Sequence, residues 1–121
     1  MWSNDTNKLA EIAFNKKLFR EQKDTAFQDK YGVVYIAACL VKENDYTDGD
    51  IAVLIKREHK PNEPIYTLTA RGMQYNSIYG QEARELNLLK AWLAESVYCW
   101  TELPLEFQDK ITRPWKQKES Q

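Results

Sequence analysis

Glycine is scarce in this chain of 121 residues, and none of its four glycines lies in a phosphate-binding pattern. A P-loop or a dinucleotide-binding loop needs several closely spaced glycines, because the backbone must approach the phosphates. Here the glycines stand apart from one another along the chain, at positions 32, 49, 72 and 80. The sequence therefore argues against nucleotide-dependent enzymes of these types, and we expect no cofactor.

Cysteine and histidine are also rare, with two cysteines and one histidine. Two cysteines are too few for a disulfide framework, and the three residues together cannot supply the four ligands of a structural zinc site. Cys39 lies in the apolar segment YGVVYIAACLV, and Cys99 lies in a predicted helix, so we expect both to be reduced, buried thiols. A nucleophilic pair with His59 would need one of these thiols beside it, which neither position favours.

The chain has no excess of positive charge and no long apolar run. Its 17 basic and 18 acidic residues give a net charge of -1, whereas dedicated nucleic-acid-binding proteins usually carry a clear basic excess. No apolar run approaches the roughly 20 residues that cross a bilayer, and the N-terminal segment lacks the apolar core of a secretory signal. We expect a cytoplasmic protein without a membrane segment, and we do not expect nucleic acid as its partner.

What the chain does contain is typical of one globular domain. Hydrophobic residues make up 43% and charged residues 29%, and 121 residues are enough to bury a core. No linker divides the sequence, so we predict a single domain over residues 1–121. We expect its last part, residues 110–121, to be a flexible basic tail.

Hydrophobic periodicity predicts two helices. The first is expected from Asn4 to about Lys23, with its N-terminus capped by Asn4, Asp5 or Thr6. The second is expected from Gln81 to Trp100, because apolar residues follow one another there at spacings of three and four. This second stripe comprises Leu86, Leu89, Leu93, Val97 and Trp100.

The segments between the helices predict β-strands. Residues 31–41, 51–56 and 65–70 are rich in β-branched and aromatic residues, and residues 73–79 form either a fourth strand or a loop. The first segment is almost wholly apolar and is expected to be covered on both faces or nearly so. The third is expected to have one solvent-exposed face, since Tyr66 and Leu68 alternate with Thr67 and Thr69. The predicted fold is α+β, with a three- or four-stranded antiparallel sheet packed against an N-terminal and a C-terminal helix.

Residues 43–50, with the sequence ENDYTDGD, contain four carboxylates and no cation. Carboxylates can bind hard cations, but an EF-hand loop with Gly49 in its sixth position would place Tyr46 and Ile55 at ligand positions. The dipeptide Asp48-Gly49 instead favours a turn between two strands. Such an acidic turn can also meet a basic partner. We predict a partner-binding set that consists of Glu43, Asp45, Tyr46, Asp48, Asp50, Tyr75 and Tyr79.

A metal-dependent nuclease is one alternative, since Asp50 is followed by Glu58-His59-Lys60. Nucleases of one widespread kind hold a divalent metal with an aspartate and the glutamate of a Glu-x-Lys motif, and the lysine orients the attacking water. In that pattern the aspartate and the Glu-x-Lys come from different strands. Here Asp50 and Glu58 are predicted at opposite ends of one strand, roughly 25 Å apart.

The leading hypothesis is therefore a non-enzymatic protein that inhibits or neutralises a partner enzyme or toxin. It depends on the acidic turn, on aromatic residues in predicted turns, and on the poor geometry of the catalytic alternatives. A second alternative is a small nucleic-acid-binding module that uses the basic first helix and the tail. Its candidate residues are Lys16, Lys17, Arg20, Lys23, Lys110, Arg113, Lys116 and Lys118. The sequence does not indicate the oligomeric state.

Overall fold

The computed structural model of the protein describes residues 2–17, 33–42, 51–60, 63–70 and 73–103. They form an α+β fold in which a five-stranded antiparallel sheet packs against two helices, which confirms the predicted class. The elements in chain order are α1 (Thr6–Asn15), β1 (Val33–Val41), β2 (Ile51–Lys60), β3 (Glu63–Ala70), β4 (Met73–Tyr79), a short 3-10 helix (Glu82–Arg84), α2 (Leu86–Ser96) and β5 (Val97–Glu102).

The strand order in the sheet is β4-β3-β2-β1-β5. The first four strands follow one another as neighbours, each antiparallel to the next. The 3-10 helix and α2 then carry the chain across one face of the sheet, and β5 pairs with β1 at the far edge. The sheet thus has more strands than the three or four that the sequence predicts.

The fifth strand occupies a region that the sequence assigns to helix, and that part of the prediction is wrong. α2 ends at Ser96, and the next six residues, VYCWTE, are mostly β-branched or aromatic types that favour a strand. The register against β1 shifts, with Leu40 opposite Cys99 but Val41 opposite Val97, so that Tyr98 is an extra residue in β5. This bulge brings residues three apart onto one face of the strand, a spacing that is otherwise typical of a helix.

The first helix is shorter than the sequence predicts. Asp5 caps its N-terminus, and the Asp5 side chain accepts a hydrogen bond from the Lys8 backbone N–H at 3.1 Å. The helix ends at Asn15, and Lys16 already has extended backbone angles (φ -69°, ψ 127°). The sequence predicts that this helix continues to about Lys23, and this is wrong from Lys16 onward in the described residues. Residues 18–23 lie outside the described ranges. Within those ranges, no helix has the length and apolar character needed to cross a membrane.

The core lies between the helices and one face of the sheet. α1 contributes buried Leu9, Ala10 and Ala13, and α2 contributes Leu89, Trp92 and Leu93. The strands contribute Val34, Ile36, Ala37, Cys39, Val41, Ala52, Leu54, Tyr66, Leu68, Ile78, Val97 and Trp100. On the other face most side chains are half-buried, which fits the partly wet face predicted for the third strand.

Candidate functional site

The acidic segment, residues 43–50, joins the end of β1 to the start of β2. Five predicted partner-binding residues belong to it, namely Glu43, Asp45, Tyr46, Asp48 and Asp50, and all five lie outside the described residues. The structure fixes where the segment leaves and re-enters the sheet, because Leu40 of β1 is paired with Ile51, the first residue of β2. We call this end of the sheet the acidic end.

Several large apolar side chains are exposed at the acidic end, two of them on β2 and β4. Ile51, the first residue after the acidic segment, exposes 60% of its surface. Met73, the first residue of β4, exposes 64%. The pairing of Val53 with Thr69, and of Ala70 with Met73, places the start of β4 at the same end of the sheet as the start of β2. Ile51 therefore adjoins the acidic segment directly, whereas Met73 lies two strands away, opposite Ala70 on the helix-facing side of the sheet.

The two predicted binding tyrosines of β4 occupy different levels of the sheet. Tyr75 is half-buried and lies two residues from the start of β4, towards the acidic end. Tyr79 is the last residue of β4, is 67% exposed, and pairs with Ile65, which in turn pairs with Arg57. Since Arg57 is six residues along β2 from Ile51, Tyr79 lies roughly 20 Å from the acidic end.

Further exposed aromatic side chains occur at the β5 edge of the sheet. Trp2 lies next to Ser3, which forms an antiparallel bridge with Trp100, and Tyr98 is the bulged residue of β5. Both side chains are exposed. Tyr98 was not among the predicted binding residues, because its position was predicted to lie inside a helix. These two residues are separated from β4 by the full width of the sheet.

The residues of the predicted nuclease site are not brought together by the part of the chain that the structure describes. Glu58 and Lys60 belong to the last part of β2, whereas Asp50 precedes its first residue and is not described. Ile51 and Glu58 are seven residues apart on this strand, which corresponds to roughly 23 Å. Over the described ranges, no group of three or more His, Cys, Asp or Glu residues could hold a metal ion.

The basic residues predicted for nucleic-acid binding are only partly described. Lys16 forms an ion pair with Glu102 of β5, with 3.2 Å between Lys16 Nζ and Glu102 Oε1. Lys17 is exposed. Arg20, Lys23 and the basic residues of the tail lie beyond the described ranges. Because Lys16 is already paired with a carboxylate, it is a weaker candidate for a phosphate contact than the sequence indicates.

Lys56 was not predicted as a functional residue. It lies on the inward face of β2 after Ala52 and Leu54 and is 9% exposed. Its Nζ donates hydrogen bonds to three carbonyl oxygens at the end of α1, those of Ala13 (3.2 Å), Phe14 (3.0 Å) and Lys16 (3.0 Å). Burial lowers the pKa of Lys56 below its ordinary value. A lysine at an inward position of an otherwise apolar strand is the signal that could have identified it.

Lys42, just after β1, has a similar role at the other helix. Its Nζ donates a hydrogen bond to the Ala94 carbonyl oxygen in the last turn of α2, at 2.7 Å. Neither helix has a basic residue in its own last turn. The carbonyl groups at the ends of α1 and α2 therefore contact a lysine from β2 and from the residue after β1, respectively. A positive charge there suits the negative end of each helix dipole. Lys42 is exposed, whereas Lys56 is buried.

The two cysteines differ in their access to solvent. Cys39 is fully buried on the helix-facing side of β1, and Cys99 of β5 is half-buried. Burial, with a smaller contribution from Cys99, raises the pKa of the Cys39 thiol to about 12. The expectation of two buried thiols therefore holds for Cys39 and holds only in part for Cys99.

We expect Cys39 to resist thiol reagents in the folded protein even at pH 9 to 10, because the thiolate is the reactive form and a pKa of about 12 keeps it protonated. An aromatic disulfide reagent should label Cys99 alone in native buffer and both cysteines in denaturant. The variant Cys99→Ser should show almost no native labelling. Native labelling of Cys39 at the rate of Cys99 would contradict the burial of Cys39.

Comparison of the chain with protein-family models, with curated proteins and with solved structures finds no significant match. The functional assignment therefore depends on the chemistry and geometry of the residues themselves.

Proposed function

We propose that this protein is a non-enzymatic inhibitor, of the immunity or anti-defence kind, which docks on a partner enzyme or toxin through its acidic segment. The supporting observation is the exposed apolar side chain of Ile51 directly after the acidic segment, with exposed Met73 at the same end of the sheet. Carboxylates steer a basic partner and select against an acidic one. Exposed apolar side chains, methionine among them, supply the contact area at the centre of protein interfaces.

The proposed docking surface consists of the acidic segment, Ile51, Met73 and the neighbouring Tyr75. We leave Tyr79 outside it, because this residue lies at the far end of β4. The partner that this chemistry suits is a protein with a basic, partly apolar site, such as the substrate-binding cleft of a nuclease. Such an inhibitor needs no cofactor and no catalytic group of its own.

Neither alternative function gains support from an observation in the described residues. The nuclease would require Asp50 and Glu58 to meet, although β2 extends between them. Of the basic residues predicted for the nucleic-acid-binding module, Lys16 is paired with Glu102 rather than free for a phosphate. We therefore keep the inhibitor as the one function to be tested first.

The test is a pull-down from source-cell lysate with the purified, immobilised protein, at low and moderate salt and with nuclease treatment. The variant Asp45→Asn/Asp48→Asn/Asp50→Asn removes three charges from the acidic segment. The matched control Glu63→Gln/Glu82→Gln/Glu85→Gln removes three charges from the other end of the sheet. We expect one protein to bind the wild type and the control, and its affinity for the acidic-segment variant to fall at least tenfold, as salt-sensitive electrostatic docking requires.

The same experiment can contradict the proposal. Recovery of nucleic acid alone, lost on nuclease treatment, would favour a nucleic-acid-binding module. A partner that binds both triple variants equally well would exclude the acidic segment as the docking surface. Replacing Tyr79 with alanine is a further control, and we expect it to leave the affinity unchanged within about twofold.

A further inference from the structure

Residues 2–17 form a unit at the edge of the sheet, which we call the N-terminal unit. Ser3 pairs with Trp100 of β5 through two backbone hydrogen bonds of 2.8 Å. The apolar face of α1, formed by Leu9, Ala10 and Ala13, packs into the core. Apart from the Ser3 bridge, the unit contributes no strand to the described sheet. The five strands could therefore stay paired if this unit moved away.

The N-terminal unit depends on its contacts with the rest of the protein. α1 has only ten residues, and helices shorter than about 12 residues are marginally stable alone. Among the described residues, two ion pairs connect it to its neighbours, Lys16 with Glu102 and Lys90 with Glu11, but both lie at the surface. Ion pairs of this kind contribute little to stability. The buried charge of Lys56 contacts α1 from within the core.

The contacts of Lys56 require a charged ammonium group. An ammonium has three N–H donors, and three carbonyl oxygens accept hydrogen bonds from Nζ, whereas a neutral amine has only two donors. The carbonyls form the negative end of α1, and the Tyr66 ring lies 5.4 Å from Nζ, so both favour the cation. Burial opposes the charge and lowers the pKa of Lys56, and the three carbonyl contacts offset part of that cost.

We propose that Lys56 is a latch whose ammonium charge holds the C-terminal end of α1 on the sheet, and that loss of this charge lets the N-terminal unit open locally while the sheet stays folded. Without Lys56 Nζ, the carbonyls of Phe14 and Lys16 would lose the side-chain donor that the structure gives them. A partly buried acceptor without a donor is unfavourable, and opening of the helix end lets water replace the lost donor. The latch is independent of the proposed inhibitor function.

The test is amide hydrogen exchange in Lys56→Met, which keeps a long, unbranched apolar side chain, one heavy atom shorter than that of lysine, and removes the charge. We expect amides from Ala10 to Lys16 to exchange at least ten times faster than in the wild type, and those of β2 and β3 to change less than twofold. Lys42→Met is the matched control, because it removes an exposed lysine from the end of α2, and it should leave the α1 amides unchanged. Uniform acceleration in all elements, or none in α1, would overturn the proposal.

A second measurement uses the wild type, so that the proposal can be tested even if Lys56→Met does not fold. Nitrogen-15 NMR of the lysine side chains reports the protonation state of Nζ and the exchange of its protons with water. We expect Lys56 to appear as an ammonium whose protons exchange at least ten times more slowly than those of exposed Lys17. A neutral Lys56, or proton exchange as fast as that of Lys17, would overturn the latch.

Discussion

The substitution Leu54→Ala is expected to lower the free energy of unfolding by about 2–5 kcal/mol. Leu54 is fully buried in β2, the middle strand of the sheet, and faces the helices. Its pairing partners on both sides, Ala37 of β1 and Leu68 of β3, are also fully buried. Removing the leucine side chain loses its transfer free energy and leaves a cavity that these neighbours can close only in part. Chemical denaturation followed by far-UV circular dichroism measures the change.

The control for this prediction is Leu88→Ala, which makes the same chemical change on α2. Leu88 exposes 39% of its surface, so much less apolar area returns to water when it is shortened. We expect a loss of less than about 1 kcal/mol, since side chains outside the core tolerate truncation. Equal losses in the two variants would mean that Leu54 does not lie at the centre of the core.

The hydrophobic pattern alone predicts most of the helices and strands, because an element that is buried on one face has apolar residues at regular spacing in the sequence. In β3 the buried Tyr66 and Leu68 alternate with half-buried Thr67 and Thr69, and this strand is found where the alternation predicts it. The pattern sets strand bounds less well. Pro64, predicted as part of a connection, lies within β3, where it pairs with Glu58. A proline near the start of a strand is compatible with pairing.

β5 shows why a spacing of three or four residues does not always indicate a helix. Val97 and Trp100 both face the core, opposite Val41 and Cys39 of β1. In a regular strand, residues three apart point to opposite faces. Because Tyr98 is an extra residue in the strand, Val97 and Trp100 point to the same face although they are three apart. Their spacing therefore matches that of the buried residues in α2. A bulge depends on pairing with another strand, and a local sequence window does not contain that information.

For the candidate site, the sequence predicts where the acidic segment lies relative to the strands, but it does not predict which aromatic residues lie near that segment. The sequence places the acidic segment between two strands, and the structure agrees that β1 and β2 flank it. Tyr75 and Tyr79 are close in sequence, yet four residues of extended strand separate them by roughly 13 Å, and Tyr79 lies at the end of β4 that is far from the acidic segment. Lys56 was missed because a single charged residue near the end of an apolar run is usually interpreted as the end of burial. Its partners are backbone carbonyl groups of α1. Every residue has such a group, so the sequence does not show which of them a side chain will contact.

The substitution Trp100→Ala is expected to cost about 3–5 kcal/mol of unfolding free energy, because a large buried side chain is lost from the junction of β5, β1 and the N-terminal unit. The indole also donates a hydrogen bond from Nε1 to the Asp5 carbonyl oxygen at 2.9 Å. Trp100→Phe retains most of the apolar contact and removes this bond, so it should show the smaller loss, with the missing bond itself contributing about 1 kcal/mol.

The two Trp100 variants distinguish the contribution of side-chain packing from that of the hydrogen bond to the N-terminal unit. Chemical denaturation gives the stability of each, and circular dichroism is the suitable signal because three other tryptophans would complicate fluorescence. Amide exchange in Trp100→Phe should increase first at Ser3 to Lys8, since the bond to Asp5 holds this segment against β5. An unchanged stability in Trp100→Ala would contradict the burial of β5 against the helices. An equal loss in both variants would assign the effect to the hydrogen bond rather than to the volume of the side chain.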